Sequence, residues 1–270
     1  MKNNKIKNIN PLYMNPSEFR KLVREEKWTD ITMEACQGYA QANMVIIPKE
    51  YAYDFLLFCN KNPRPCPILT VTEPGDPYPI ELSMEADVRT DLPRYRVFKD
   101  GKIIDEPTNI IKYWRDDLVT FLLGCSRSFL WALRSANISW KRYGAYKTSI
   151  QCKPAGFFHG PLCVSVRSFN TSIEAIRAIQ ISSRHLLMHG PPLYIGKPED
   201  IGIEQLGKPD SFNPGRPEVD PPKDSEIIMY WGCGITPQAV AIETKIPLMI
   251  THYPANMFVT DRLAEEFSNL

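Results

Sequence analysis

The sequence contains no apolar run that approaches the roughly 20 residues a membrane-spanning helix needs. Its charges nearly cancel, with 32 Lys+Arg against 31 Asp+Glu. The first absence argues for a soluble protein. The second removes the basic field that general nucleic-acid or membrane-surface binding requires, so neither partner is expected. Glycine, at 14, is outnumbered by proline, at 24, which predicts many turns and few long uninterrupted helices. Cysteine forms no framework: the seven residues are odd in number and scattered along the chain, as befits reduced thiols in a cytoplasm. The sequons at Asn137 and Asn170 then carry no meaning. The N-terminal MKNNKIKNIN is basic but has no apolar segment behind it, so it is not expected to act as a secretory signal.

What remains is a mixture of α and β signals in a chain long enough to bury a large core, as one α/β domain or two smaller parts. Residues 15–42 read as two short helices, the first capped by Ser17 and the second ending near Gly38 to Asn43. MVIIP is a short strand closed by Pro48, and EYAYDFLLFCNKN an amphipathic helix. Residues 68–104 read as strands and turns, with a hairpin in RVFKDGKII turning at Asp100-Gly101. TSIEAIRAIQISSRHLLMH is a helix. The Pro-, Gly- and Asp-rich residues 190–225 form a long connection whose course, lid or surface wrap, the pattern leaves open.

Two segments share one order of features. FLLGCSRSFLWALRSA (121–136) and EIIMYWGCGITPQAVAIE (226–243) each run from an apolar strand through a Gly-Cys pair into a helix. A helix start carries unpaired N–H groups and partial positive charge, and so favours carboxylates or phosphates. On neighbouring strands of one sheet, ending at Gly124 and Gly232, two such turns would share a ligand site. Three readings of the first turn stay open on the local pattern: a nucleophile, an anion cradle made by Ser126 and Ser128, or punctuation between packed elements. Ser128 stands where a hydrolase elbow needs its second glycine. Cys125 and Cys233 at helix starts invite a thiolate reading, although small buried cysteines are commoner. Thr236 fits a helix cap, and Gln238, Asn43 and Gln41 are amides able to donate to a ligand or to cap a buried turn.

The strings GYAQANMVIIPKEYAYDFLLFCNKNPRPCPIL, DVRTDLPRYRVFKDG, GCSRSF, AGFFHGPLCVSVRS, HGPPLYIGKPEDIGI, WGCGITPQ and THYPANMFVTD together resemble the D-glutamate cyclase family, also described as hydro-lyases. The match covers nearly all of residues 15–261. It implies an α/β fold, a layered mixed sheet with flanking helices plus a second, smaller α+β domain. The main part would span about 1–65 and 151–270, and the smaller about 66–150, within one family-length unit. It also implies a reaction in which D-glutamate loses water and closes to 5-oxo-D-proline. The family pattern usually has Phe and Glu where this chain has Arg127 and Leu130, and a longer segment where it has SWKRYGAYKTS. Those departures leave two other readings in play, an altered or inactive member that binds a small amino dicarboxylate, and a Cys- or Ser-based amidohydrolase.

Such a reaction needs a positioned acid/base, an oxyanion stabiliser and donors for two carboxylates. In DVRTD, strand spacing would put Asp87, Arg89 and Asp91 on one face. That arrangement reads either as an ion-pair ladder or, given the resemblance, as Arg89 gripping a carboxylate while the aspartates transfer protons. Arg167, at the end of the strand VSVRS, is a second carboxylate anchor. His159, His189 and His252 all adjoin turn residues, and of these His189 and His252 are the acid/base candidates. Their spacing matches no compact metal motif, so no metal or cofactor is expected, with a divalent ion left open. Homo-oligomerisation is likewise open.

Overall fold

YAQANMVIIP forms one strand, β1 (Tyr39–Pro48), at the centre of the molecule. The computed structural model describes residues 10–208 and 218–268; the basic N-terminus considered as a leader, apart from Asn10, lies outside them. Side chains alternate across β1. Val45 and Ile47 enter one core and Met44 and Ile46 another. A strand covered on both faces reads as a continuous apolar run instead of alternating. That is why residues 39–43 were open to misreading as the end of a helix. Only the first expected helix exists there, α1 (Pro16–Arg24), and its cap is Asn15, whose side chain accepts from Ser17 N at 2.9 Å.

The remaining elements are α2 (Lys49–Lys61), β2 (Ile68–Val71), β3 (Tyr95–Lys99), β4 (Lys102–Asp105), β5 (Leu118–Gly124), α3 (Arg127–Ser135), β6 (Lys141–Gln151), β7 (Pro161–Phe169), α4 (Ser172–Ser183), β8 (Tyr194–Ile195), β9 (Ile227–Gly232), α5 (Thr236–Thr244), β10 (Met249–His252) and β11 (Phe258–Leu263). They make a mixed α and β fold with two sheets. The larger runs β2-β5-β1-β10-β3-β4 with β11 also on β1; the smaller runs β6-β7-β9-β8. Every described ladder is antiparallel. The hairpin at Asp100-Gly101 forms as expected, with both residues at positive φ, 48° and 74°, as its tight turn demands.

The first core lies where β1 and β5 face Phe55 and Phe58 of α2 and Tyr143, Val164 and Val166 of the smaller sheet. The second sits on the opposite face of β1 and β5, under Leu82, Val88 and Leu92. The two sheets thus draw on segments 39–124 with 249–263 and on 141–232, which does not follow the division at 66 and 151. Within the long connection, β8 edges the smaller sheet, and Ile201, Ile203 and Leu206 are buried in the first core. The described part is therefore a wrap; residues 209–217 of it lie outside the described residues. Among the described residues, no helix is long and apolar enough to cross a membrane.

Two local expectations change. DVRTD is a series of turns, not a strand. Asp87 makes it so: its carboxylate accepts from Arg89 N at 2.9 Å and its carbonyl from Asp91 N at 3.0 Å, the short-range bonding by which aspartate favours turns. And β5 and β9, which end at Gly124 and Gly232, lie in different sheets.

Candidate active site

Although Gly124 and Gly232 end strands of separate sheets, the turns that follow them meet. Cys125, Ser126 and Arg127 on one side, and Cys233, Gly234 and Ile235 on the other, line a common cavity of about 70 Å³. Glycine is demanded at both turns by space. A Cβ on Gly124 would sit 1.6 Å from the Leu187 carbonyl oxygen, and one on Gly234 would sit 2.0 Å from the Asn43 amide. Asn43 is held there by donating from Nδ2 to Gly124 O at 2.7 Å. Larger depressions exist, one of about 970 Å³ beside Lys197 and Asp224. They are open grooves at the surface, and the buried polar groups converge on the small cavity instead.

Its lining is cationic. Arg142 on β6 and Arg167 on β7 are direct cross-strand partners, an arrangement of like charges that destabilises a sheet unless something offsets it. Arg127 at the start of α3 completes the group, and among the described residues no Asp or Glu lines the cavity. Arg167 is 2 % exposed. Its guanidinium lies 4.8 Å from the Trp231 ring centre and 5.7 Å from that of Phe129. It donates from Nη2 to Ser126 Oγ at 3.0 Å and from Nη1 to Ser165 Oγ at 3.3 Å, while its Nε and the Nη2 of Arg127 are buried without a partner among the described residues. Arg127 has one distant acid, Glu34 at 3.5 Å. Burial first, and the neighbouring guanidinium second, lower the pKa of Arg127 and of Arg167 to about 9. Guanidinium does not readily lose its proton, so the unfavourable charge is better relieved by an anion than by deprotonation.

Two histidines close the cavity. His189 and His252 are each about 1 % exposed, and desolvation lowers both pKa values to about 4, well under the usual imidazole range. His189 Nδ1 lies 2.6 Å from Arg64 O, and Met44 N donates to His252 Nδ1 at 3.1 Å. Both thiols in the lining are pushed up by burial, that of Cys233 to about 11, against the thiolate reading. Among the described residues, no group of three or more His, Cys, Asp or Glu is arranged to hold a metal ion.

A family model described as D-glutamate cyclase matches residues 119–261. Three relatives are each named "Putative hydro-lyase". The one from Rubrobacter xylanophilus is 46 % identical over 257 residues, covering 93 % of this chain and 97 % of its own. That from a Thermoanaerobacter species is 47 % identical over 259 residues (94 % and 96 %), and that from Bacillus subtilis 45 % over 254 (92 % and 96 %). The chain belongs to the D-glutamate cyclase family.

The sequence-selected residues divide sharply in this family member. Asn43, Ser126, Arg167, His189 and His252 line the cavity. Ser128 does not: its hydroxyl accepts from Gln41 N at 3.0 Å and fastens α3 to β1. Thr236 accepts from Cys163 N and donates to Cys233 O, fixing the start of α5. Gln238 supports the site from behind, donating to His252 O at 3.0 Å while its Oε1 accepts from Arg96. Gln41 is spent on Thr32 O and Ala35 O. Asp87, Arg89 and Asp91 are elsewhere. Arg89 pairs with Asp87 at 2.7 Å, and Asp91 is clamped by Arg24 at 2.7 Å, the ion-pair alternative. His159 is exposed.

From the sequence Arg142 is passed over as a ligand group, and Arg127, a departure from the family pattern, is left open between a carboxylate contact and solvent. Arg127 points inward, its side chain 10 % exposed. No local signal marks Arg142, because its place beside Arg167 comes from β6–β7 pairing with a register shift between Arg142 and Gly144.

Proposed function

We propose that this protein is a hydro-lyase-type enzyme that closes D-glutamate to 5-oxo-D-proline with loss of water. The family supports lyase chemistry at the general level. The observation that carries the finer reading is the convergence of Arg127, Arg142 and Arg167 on a cavity that, among the described residues, is lined by no Asp or Glu. Such a cavity is built for a ligand that brings its own negative charge, and arginine matches carboxylates with paired donors. A volume of about 70 Å³ is far below what a nucleotide needs.

In the proposed reaction the α-ammonium first gives up one proton, and the resulting amine nitrogen attacks the distal carboxyl carbon. A C–N bond forms, a C–O bond breaks, and two protons pass from nitrogen to the departing oxygen, which leaves as water. Ser126 and the arginines hold the carboxylates, and the two histidines serve proton transfer and oxyanion stabilisation. The seven cysteines, all free, support a reducing, cytoplasmic setting.

One observation favours a second reading, a binder of the same ligand without turnover. Leu130 stands where the resemblance implies a glutamate, and it is buried among Phe129, Leu133 and Trp231. To decide, the purified protein is incubated with D-glutamate, L-glutamate and 5-oxoproline, and all three are followed by chromatography. Consumption of D-glutamate alone, with 5-oxo-D-proline appearing, is expected. Binding without consumption would establish the second reading, and ring opening blocked by a thiol reagent would establish an amidohydrolase.

A further inference from the structure

A backbone carbonyl only accepts and a backbone amide only donates. His189 Nδ1, at 2.6 Å from Arg64 O, must therefore carry a hydrogen. His252 Nδ1, at 3.1 Å from Met44 N, must be bare. The Met44 carbonyl lies farther from that atom, at 3.4 Å, and the shorter contact, whose direction cannot reverse, decides. Burial disfavours the charged ring in both cases, and the charged groups around them oppose it too: Arg64 and Arg167 near His189, and Arg96 near His252. A neutral ring has one hydrogen, so Nε2 is bare in His189 and protonated in His252. Neither Nε2 has a hydrogen-bond partner among the described residues, and both rings line the cavity.

We propose that His189 and His252 hold opposite neutral tautomers and thereby divide the chemistry, His189 Nε2 carrying protons and His252 Nε2–H only donating a hydrogen bond. The substrate in this assignment rests on the cyclisation reading; the tautomers do not. His189 Nε2 takes each of the two protons that nitrogen loses and delivers it to the departing oxygen, returning to neutrality after each transfer. His252 keeps its hydrogen and stabilises the oxyanion of the tetrahedral intermediate, since losing it would create an imidazolate. A neutral imidazole used as a donor avoids moving a proton at the wrong atom.

Both rings are set from the backbone side. Arg64 Nε donates to His189 O at 2.8 Å, and its Nη2 donates to Pro191 O. The Arg64 carbonyl is wedged against Gly232, where a Cβ would approach to 2.6 Å. His189 itself adopts φ +76°, a conformation unfavourable for a residue with a Cβ and held here by that clamp. On the other side Gln238, whose Oε1 accepts from Arg96, donates to His252 O.

The test is a long-range ¹H–¹⁵N spectrum of the intact, ¹⁵N-histidine-labelled protein near pH 7. One buried ring should be protonated at Nδ1 and another at Nε2, the first signature vanishing in His189→Gln and the second in His252→Gln. Matching tautomers on the two rings, or a charged ring, would overturn the proposal from the parent spectrum alone. In turnover, His189→Gln should lose at least about a hundredfold in kcat with KM little changed. His252→Gln, which keeps an amide donor, should lose less than His252→Leu; equal losses count against the donor role. Split tautomers with no conversion of D-glutamate would sink the cyclisation reading and leave the tautomer split standing. Conversion with matching tautomers would do the reverse.

Discussion

Arg167 is the residue at which function and stability pull in opposite directions. It sits buried beside Arg142 with its Nε unpaired, so it costs the folded state what an anionic ligand later recovers. Arg167→Met keeps the apolar stem against Trp231 and removes the charge. Stability should rise by about 1 kcal/mol or more, read as a higher Tm, while affinity for D-glutamate falls about ten- to a hundredfold in calorimetric titration. A lower Tm together with unchanged affinity would remove Arg167 from the site. The neighbouring turn offers a second contrast. Ser126→Val takes away the hydroxyl that accepts from Arg167 and should weaken binding, whereas Ser128→Val breaks the tie to Gln41 N and should lower Tm. Cys125, whose thiol is raised by burial, should be replaceable by alanine with most activity kept. Inactivity of Cys125→Ala with intact circular dichroism would restore the thiolate reading.

Among the elements, the two strand-turn-helix units do the positioning. β5 and β9 belong to different sheets, yet their carboxyl ends approach because α2, β1 and the smaller sheet share one apolar core. Each turn is as tight as its glycine allows. Gly124→Ala would drive a Cβ into the Leu187 backbone, and backbone cannot swing aside, so soluble yield or Tm should drop severely. Gly234→Ala meets the Asn43 amide instead, a side chain that can move at the loss of its bond to Gly124 O. The fold should survive at a cost of roughly 1 kcal/mol, with the cavity wall displaced and D-glutamate affinity reduced. If Gly234→Ala binds as the parent does, Asn43 is not part of the wall.

For the whole molecule, the buried neutral histidines make stability depend on pH. Unfolded imidazoles titrate near 6.5, while His189 and His252 are held at about 4. Between those values the unfolded chain binds more protons than the folded one, so stability rises with pH through this window. The contribution is complete above about pH 6.5 and is lost as pH falls toward 4. Each histidine accounts for something on the order of 3 kcal/mol. Urea unfolding at pH 7.5, 5.5 and 4.5 should show the decline, and His252→Gln should flatten it; a slope unchanged in that variant would mean that His252 is charged in the fold.

What the sequence by itself determined was local or compositional. The hairpin at Asp100-Gly101, α2, and both Gly-Cys turns between strand and helix follow from propensity and period, which neighbours in the chain settle among themselves. The family was legible for the same reason, since long strings of residues carry it. Arg167, His189, His252, Ser126 and Asn43 could be picked from those strings, but not their company. DVRTD has the alternation of a strand and became a turn, because the Asp87 carboxylate accepts from the Arg89 backbone N–H and pairs with the Arg89 guanidinium. Residues 39–43 mimic a helix end and became a central strand, because both their faces were covered by distant segments. The meeting of Arg127, Arg142 and Arg167 is purely tertiary: it requires β6 to pair with β7 in one register and α3 to start beside them. The opposite tautomers of the two histidines are set likewise by backbone atoms of Arg64 and Met44, 125 and 208 residues away along the chain, contacts that only the folded chain can make.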